Sequence, residues 1–379
     1  MQIGVVGKTN TGKSSFFKAA TLIDVEISNR TFVTIKPNVG IGYVTTKCPH
    51  TELKVACNPK NSQCSNGTRL IPVKILDVAG LVPGAHTGKG LGNQFLNDLV
   101  PADCLVHVVD ASGTTDAEGK PTEGYDPCED ILFLENEIDL WFTDVIRRNI
   151  EKIKDKGKAT EVLAGLGIRK EHVEAAIAKT GLQPEQLAKE LRLLSKPMII
   201  AANKIDLTAG PTNFEKMKKM FPHMTIIPVC AEAEIALRSA AKNGLIRYVP
   251  GASEYEVPDP SKLSKDQACA LEFIREKILR KWGSTGVQSC LNAAVFDVLK
   301  YMAVYPVENE TKWTDKKGNV LPDVYLMPPG STAKDLAFKI HADIGKGFLY
   351  ALDARTKRRL SADYQVRQND VISIVSAAK

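Results

Sequence analysis

The segment Gly7-Lys8-Thr9-Asn10-Thr11-Gly12-Lys13-Ser14 constrains the fold of this chain more than any other, because it matches GxxxxGK[ST] without a mismatch. The apolar run Ile3 to Val6 before it reads as a buried strand, and Ser14-Ser15-Phe16-Phe17-Lys18-Ala19-Ala20 reads as the opening of a helix. A loop in that strand-to-helix setting arrays its backbone N–H groups as an anion nest at the positive end of the helix. Lys13 is then expected to reach the β- and γ-phosphates of a nucleotide and to serve catalysis, and the Ser14 hydroxyl to ligate Mg²⁺. Gly7, Asn10, Thr11, Gly12 and Ser15 complete the expected phosphate-binding set.

Five more apolar runs follow, at Val39 to Thr45, Val73 to Leu76, Leu105 to Val109, Met198 to Ala202 and Thr225 to Val229. They alternate with segments of helical period. That alternation predicts an α/β fold: a P-loop NTPase with a doubly wound, mostly parallel sheet and ligands at the carboxyl ends of its strands. About ninety residues separate Asp110 from Met198, far more than a βα connection needs. The stretch 127–196 carries apolar residues at three-to-four spacing, as in Ile146, Ile150 and Ile153, and reads as an inserted helical subdomain, a hairpin of two long helices interrupted near Gly165 and Gly167. Its apolar stripes either pack on one another or serve a partner, the first being the plainer reading. The nucleotide-binding domain is accordingly expected over 1–126 and 197–250, and a helical connection belonging to it or packing on it over 251–301, with helices at Lys262 to Trp282 and Val287 to Met302. From 302 to 379 the chain reads as a small α+β, β-grasp-like module. Its strands are expected at Val324 to Met327, Gly347 to Leu352 and Val371 to Val375, and Thr332 to Asp335 forms a capping box that opens a helix through about Ile344.

At 379 residues, 44% hydrophobic and 25% charged, the chain is of ordinary globular composition with room for more than one core. No apolar run approaches the ~18 residues of a membrane span. The first strand starts close to Met1, so no leader and no membrane association are expected, and the predicted compartment is the cytoplasm. Eight cysteines at irregular spacings do not describe a disulfide framework. A net charge of +6 permits an RNA or ribosome partner without requiring one; no DNA partner is expected, and the chain is taken as a monomer.

The base is read away from the phosphate loop. Asn203-Lys204-Ile205-Asp206 follows the fifth strand, where a carboxylate at Asp206 can accept from both the ring N1–H and the exocyclic amine of guanine, a donor pair that adenine lacks. Cys230-Ala231-Glu232 stands after the next strand, where a second base-contacting loop would lie. Asp77-Val78-Ala79-Gly80 is a DxxG: Asp77 can hold Mg²⁺ through water, and Gly80 lets its N–H meet the γ-phosphate. Thr34 is the candidate second protein ligand on Mg²⁺. In this order the elements predict a Mg²⁺-dependent switch that binds GTP and hydrolyses it to GDP and phosphate. A nucleotide-gated scaffold with incidental hydrolysis is the alternative of a different class.

Phe32-Val33-Thr34-Ile35-Lys36-Pro37-Asn38-Val39-Gly40, Leu81-Val82-Pro83-Gly84-Ala85 and Gly88-Lys89-Gly90-Leu91-Gly92-Asn93-Gln94-Phe95-Leu96 resemble the switch regions of the Obg-related GTPases of the TRAFAC class, most closely the YchF subfamily in its archaeal form. The resemblance spans nearly the whole chain, and the tail from about Met302 looks like a TGS domain. It implies a GTP-hydrolysing switch that associates with ribosomes or RNA through the TGS-like and helical parts. Many YchF relatives carry an altered base loop and favour ATP, whereas this chain keeps an intact NKxD. Leu81 stands where many GTPases place a water-orienting glutamine, which implies slow intrinsic turnover or help from another group. His86 is one candidate for that help. Asn10 is another, at a position where some related GTPases bind K⁺; its alternative is a turn residue tolerant of the left-handed region.

Two weaker signals remain open. Cys48, His50, Cys57 and Cys64 lie between the second and third strands without any CxxC pair, so an ordinary loop is expected and metal binding is the alternative. Lys346, Arg355, Lys357, Arg358 and Arg359 form a basic cluster open to RNA phosphate or to solvent.

Overall fold

The computed structural model describes residues 1–21, 39–78, 80, 95, 98–154 and 156–377. Thr34, Leu81 and His86 lie outside the described residues. Two compact units are present: the first takes the described residues up to 42 and Val73–Ala294, the second takes Tyr43–Pro72 and the described residues from Val295 onward.

The main sheet contains β1 (Gln2–Val6), β2 (Val39–Lys47), β3 (Gln63–Ser65), β4 (Thr68–Asp77), β5 (Cys104–Asp110), β6 (Met198–Asn203) and β7 (Thr225–Pro228), in the order β2-β4-β1-β5-β6-β7 with β3 paired to β4. The pairs β1–β4, β1–β5, β5–β6 and β6–β7 are all parallel, as the alternating pattern predicts. β5 is buried along its whole length, which explains why it reads as a continuous apolar run. Two features differ from expectation. β4 begins at Thr68, before the run at Val73, because Pro72 falls between the stretch laddered to β3 and the stretch laddered to β1 and so does not end the strand. β3 itself was not expected: Gln63-Cys64-Ser65 lacks the apolar alternation that marks a strand.

The stretch 127–196 is not a hairpin of two long helices. One helix of 21 residues, Cys128–Arg148, is followed by four shorter ones, Ile150–Lys154, Lys156–Ala164, Lys170–Thr180 and Pro184–Ser195. Backbone chemistry sets the breaks. Gly167 and Gly181 adopt φ of +70° and +65°, and Pro184 occupies the first turn of the last helix. The apolar stripes pack inward, with Leu134, Ile138, Phe142, Leu163, Val173, Leu187 and Leu191 buried in one cluster with Val6, Leu76 and Leu105 of the sheet. Each such side chain contributes on the order of 1.5–3 kcal/mol by leaving water.

The expected helix at 262–282 is present as Lys265–Ile274, a π-turn Arg275–Leu279 and Arg280–Trp282, opened by a Ser264/Gln267 capping box. The next helix ends earlier than expected. It runs Val287–Asn292 and through a π-turn to Val298, and Met302 instead starts a strand, because Lys300 turns the chain at φ +55°.

In the second unit, β8 (Met302–Val307), β9 (Tyr325–Met327), β10 (Phe348–Asp353), β11 (Arg359–Leu360) and β12 (Val371–Ser376) form a five-stranded sheet in the order β11-β10-β12-β8-β9. Only β8–β12 is parallel. The helix Ala333–Ile340 covers it, opened by the predicted Thr332/Asp335 capping box and closed at His341, whose extended backbone ends the run before Ile344. Among the described residues no helix is long and apolar enough to cross a membrane.

Candidate functional site

Every chemically marked loop of the first unit leaves the carboxyl end of a parallel strand, so the sheet register brings them together. The phosphate loop follows β1, Asp77 ends β4, Asp110 ends β5 and Asn203 ends β6; the ladders pair Val5 with Asp77 and Asp110 with Asn203. A cleft of about 670 Å³ opens there. Of the expected site residues, Asn10, Gly12, Lys13, Ser14, Ser15, Gly80, Asn203, Lys204, Asp206, Cys230, Ala231 and Glu232 line it. Gly7 and Thr11 are buried in the loop that forms its floor. The helix Lys13–Thr21 has no acidic residue in its first turn, which leaves its positive end free for an anion, and it is anchored by buried Phe16, Ala19 and Ala20.

Asn203 ties the phosphate loop to the base loop. Its Nδ2 donates to the Thr11 carbonyl at 2.9 Å, and its Oδ1 accepts from the Ala231 N–H at 3.1 Å. Gly12 must be glycine for this to happen, since its φ is +88° and a Cβ would lie 2.2 Å from Asn203 Nδ2. Lys204, at φ +59°, sends Nζ to Asp110 Oδ2 at 2.8 Å. Burial alone would raise the Asp110 carboxyl, but Lys204 and the hydroxyls of Ser112 and Thr115 outweigh it and hold its pKa below the usual range. Asp206 by contrast is exposed on the cleft wall. Its neighbour Cys230 has its thiol pushed up to about 12 by burial, with Asp206 adding to the shift, so that thiol stays protonated and can donate to the carboxylate. Lys13 Nζ meets Asp77 Oδ1 at 2.8 Å, which places the two residues expected to hold phosphate and Mg²⁺ in one ion pair.

Asn10 adopts φ +65° and donates Nδ2 to the Gly119 carbonyl at 2.8 Å, which supplies its turn role directly. That contact introduces a group of residues that the sequence does not mark. Buried Lys8 pairs with Asp130 at 2.9 Å, donates to the Thr115 carbonyl at 2.9 Å and lies 3.9 Å from the centre of the Tyr125 ring. Burial raises the Asp130 carboxyl in spite of that ammonium. The segment 111–126 thus clamps the phosphate loop from outside the motif. On the other wall, buried Glu234 accepts from Arg238 Nε at 2.6 Å, from the Tyr248 hydroxyl at 2.8 Å and from the Thr285 hydroxyl, while the Thr285 carbonyl accepts from Cys230 N–H at 2.9 Å. In sequence, Lys8 is a variable position of the motif and Glu234 an ordinary first-turn acid, so neither announces its role.

Within the basic cluster of the second unit, Arg355 forms a two-pronged pair with Glu52 at 2.7 Å and lies over the Trp313 ring. Arg359 lies over Tyr350. Lys346 and Arg358 are exposed.

Comparison with known proteins agrees with this geometry. A family model described as 50S ribosome-binding GTPase matches residues 2–140, one described as Obg-like GTPase YGR210-like, G4 motif-containing domain matches 201–309, and one described as TGS domain matches 313–376. An uncharacterised GTP-binding protein of Methanocaldococcus jannaschii is 49% identical, covering 100% of this chain and 99% of that one. A Mycoplasma pneumoniae protein named ribosome-binding ATPase YchF is 31% identical, covering 68% of this chain and 74% of its own length. The crystal structure of a GTP-binding protein from Pyrococcus horikoshii superposes with a TM-score of 0.80 at 41% identity over 100% of both chains. The chain therefore belongs to the Obg-like, YchF-type GTPase family, with a TGS domain in its C-terminal part.

Proposed function

We propose that the cleft binds Mg²⁺·GTP, that the chain hydrolyses it slowly to GDP and phosphate, and that the nucleotide state sets its association with ribosomes or RNA in the cytoplasm. The observation that carries this reading is the Asn203 bridge, which joins a phosphate loop to a base loop whose exposed carboxylate, Asp206, faces the same cleft. A carboxylate there is left buried and unpaired by adenine under a bound nucleotide, and satisfied by guanine. The name ribosome-binding ATPase on a relative favours a second reading, an ATP-preferring hydrolase; the Asn203-Lys204-Ile205-Asp206 element supports guanine over it.

Phosphate charge would compete with Asp77 for Lys13, freeing the Asp77 carboxylate. Ser14 and, through water, Asp77 are the described residues that would hold Mg²⁺, with Thr34 as the further ligand; the ion neutralises charge on the phosphates. Asn203 and Gly12 keep the phosphate and base loops in register, and the Lys8–Asp130 pair keeps the loop from spreading. Leu81 supplies no hydrogen bond to water, so turnover depends on another group, with His86 and an Asn10-bound K⁺ as the candidates. Exposed Lys346 and Arg358 suit phosphate contacts on RNA.

Steady-state GTP turnover with and without ribosomes, in K⁺ and in Na⁺, tests the switch. Stimulation by ribosomes of about tenfold or more is expected, within the range that a supplied catalytic group gives. A rate that ribosomes leave unchanged supports the scaffold reading instead, and a rate indifferent to K⁺ leaves Asn10 as a turn residue.

A further inference from the structure

Cys48, His50, Cys57 and Cys64 take no part in the nucleotide cleft, and their spacing in sequence suggests nothing. The fold nevertheless collects them. Cys48 follows β2, His50 opens the single-turn helix His50–Leu53, Cys57 lies in the following loop and Cys64 sits on β3. Their ligating atoms all lie within 4.8 Å of one another. Cys48 Sγ is 3.9 Å from Cys57 Sγ, and Cys64 Sγ is 3.6 Å from His50 Nδ1. A tetrahedral zinc ion, with Zn–S of about 2.3 Å and Zn–N of about 2.0–2.1 Å, requires S···S edges of about 3.8 Å and S···N edges of about 3.6 Å. These two edges match that tetrahedron, and all the others fall within 4.8 Å.

We infer that Cys48, His50, Cys57 and Cys64 form a structural Zn²⁺ site of the Cys₃His type. All four vertices are taken by protein, so the site has no open position for catalysis. Three thiolates and one neutral imidazole give the centre a net charge of −1, and the surroundings suit it. Arg69 is fully buried, its Nη1 donates to Cys57 Sγ at 3.7 Å, its Nη2 donates to the Leu321 carbonyl, and it lies over the Tyr305 ring. Binding replaces the S–H bonds of the three thiols by S–Zn bonds and releases those protons to solvent.

The site also answers a folding question. The excursion 48–67 has one single-turn helix, no acidic or hydroxyl cap on it, and an exposed Val55, so it buries little apolar surface of its own. It is nevertheless held in a defined path along the residues before β9: Asn58 N–H donates to the Val320 carbonyl at 2.8 Å, Lys60 N–H to Pro322 at 2.7 Å, and Asn61 Nδ2 to Val324 at 2.9 Å. A metal tether between its two ends fixes that path without a core.

The test uses the full chain, purified under reducing conditions without chelator. Metal analysis should find one zinc per chain, and Co²⁺ exchanged into the apo protein should give the intense thiolate charge-transfer and tetrahedral ligand-field bands of a thiolate-rich site. Cys57→Ser and Cys64→Ser should each lose stoichiometric metal. Removing zinc should speed proteolytic cleavage within 48–67 while GTP binding persists, which keeps this result separate from the fate of the GTPase reading. Should the variants fail to fold, the wild-type cobalt spectrum decides alone. Zinc well below one per chain together with no tetrahedral cobalt bands overturns the site, as does a native disulfide among these cysteines or iron in zinc's place.

Discussion

His107 illustrates how a single residue ties the site's scaffold to pH. It lies within β5 next to Val6 of β1, is 2% exposed and leaves Nδ1 without a hydrogen-bond partner. Burial, with Lys8 adding, pushes its pKa from the ordinary 6.5 down to about 3. The folded chain therefore keeps it neutral while the unfolded chain protonates it below pH 6.5. Stability present above that value is lost as pH falls toward 3, at about 1.4 kcal/mol per pH unit from this group. In urea titrations between pH 6.5 and 4, His107→Leu is expected to lower the slope of stability against pH by about one proton. An unchanged slope would mean the imidazole is charged in the fold. At this scale the sequence is most legible where a residue's role needs only its own chemistry. Lys13, Ser14 and Asp206 line one cleft, whereas Asp110 reads in sequence merely as a strand end and becomes a partner for Lys204 only through the β5–β6 register.

At the scale of elements, apolar runs located β1, β2, β4, β5, β6 and β7 of the main sheet, and the helical stretch breaks near Gly165 and Gly167 as expected, while the further breaks at Gly181 and Pro184 depart from a long-hairpin pattern. Short strands without alternation, β3 and β11, were invisible because tertiary pairing rather than side-chain pattern makes them. The segment 111–126 is the element the sequence hides most completely, being a polar loop that closes on the phosphate loop. Gly119 packs directly on the phosphate loop: φ is +81°, its carbonyl accepts from Asn10, and a Cβ would lie 2.6 Å from the Thr9 carbonyl oxygen. Gly119→Ala must move backbone, so we expect a loss of about 1–3 kcal/mol of stability, with faster hydrogen exchange at the amides of Thr9 to Thr11. A stability equal to wild type would show that the clamp is slack.

For the whole molecule, the family and the order of its parts follow from local motifs, because a phosphate loop, a DxxG and an NKxD each carry their strand context with them. The proposed metal site does not, since its four candidate ligands come from a strand end, a turn helix, a loop and a second strand, and are gathered by tertiary contacts: the β3–β4 pairing sets Cys64 opposite Arg69, and the Cys48 N–H donates to the Gly67 carbonyl in the β3–β4 turn. The central claim is that one cleft reads guanine. Calorimetric titration of the Mg²⁺-loaded full chain with GTP and ATP, beside Asp206→Asn, measures it directly. GTP is expected to bind at least about 100-fold more tightly than ATP, and Asp206→Asn to remove most of that preference while leaving ATP affinity unchanged. ATP binding as tight as GTP, or a preference that survives Asp206→Asn, would contradict the account.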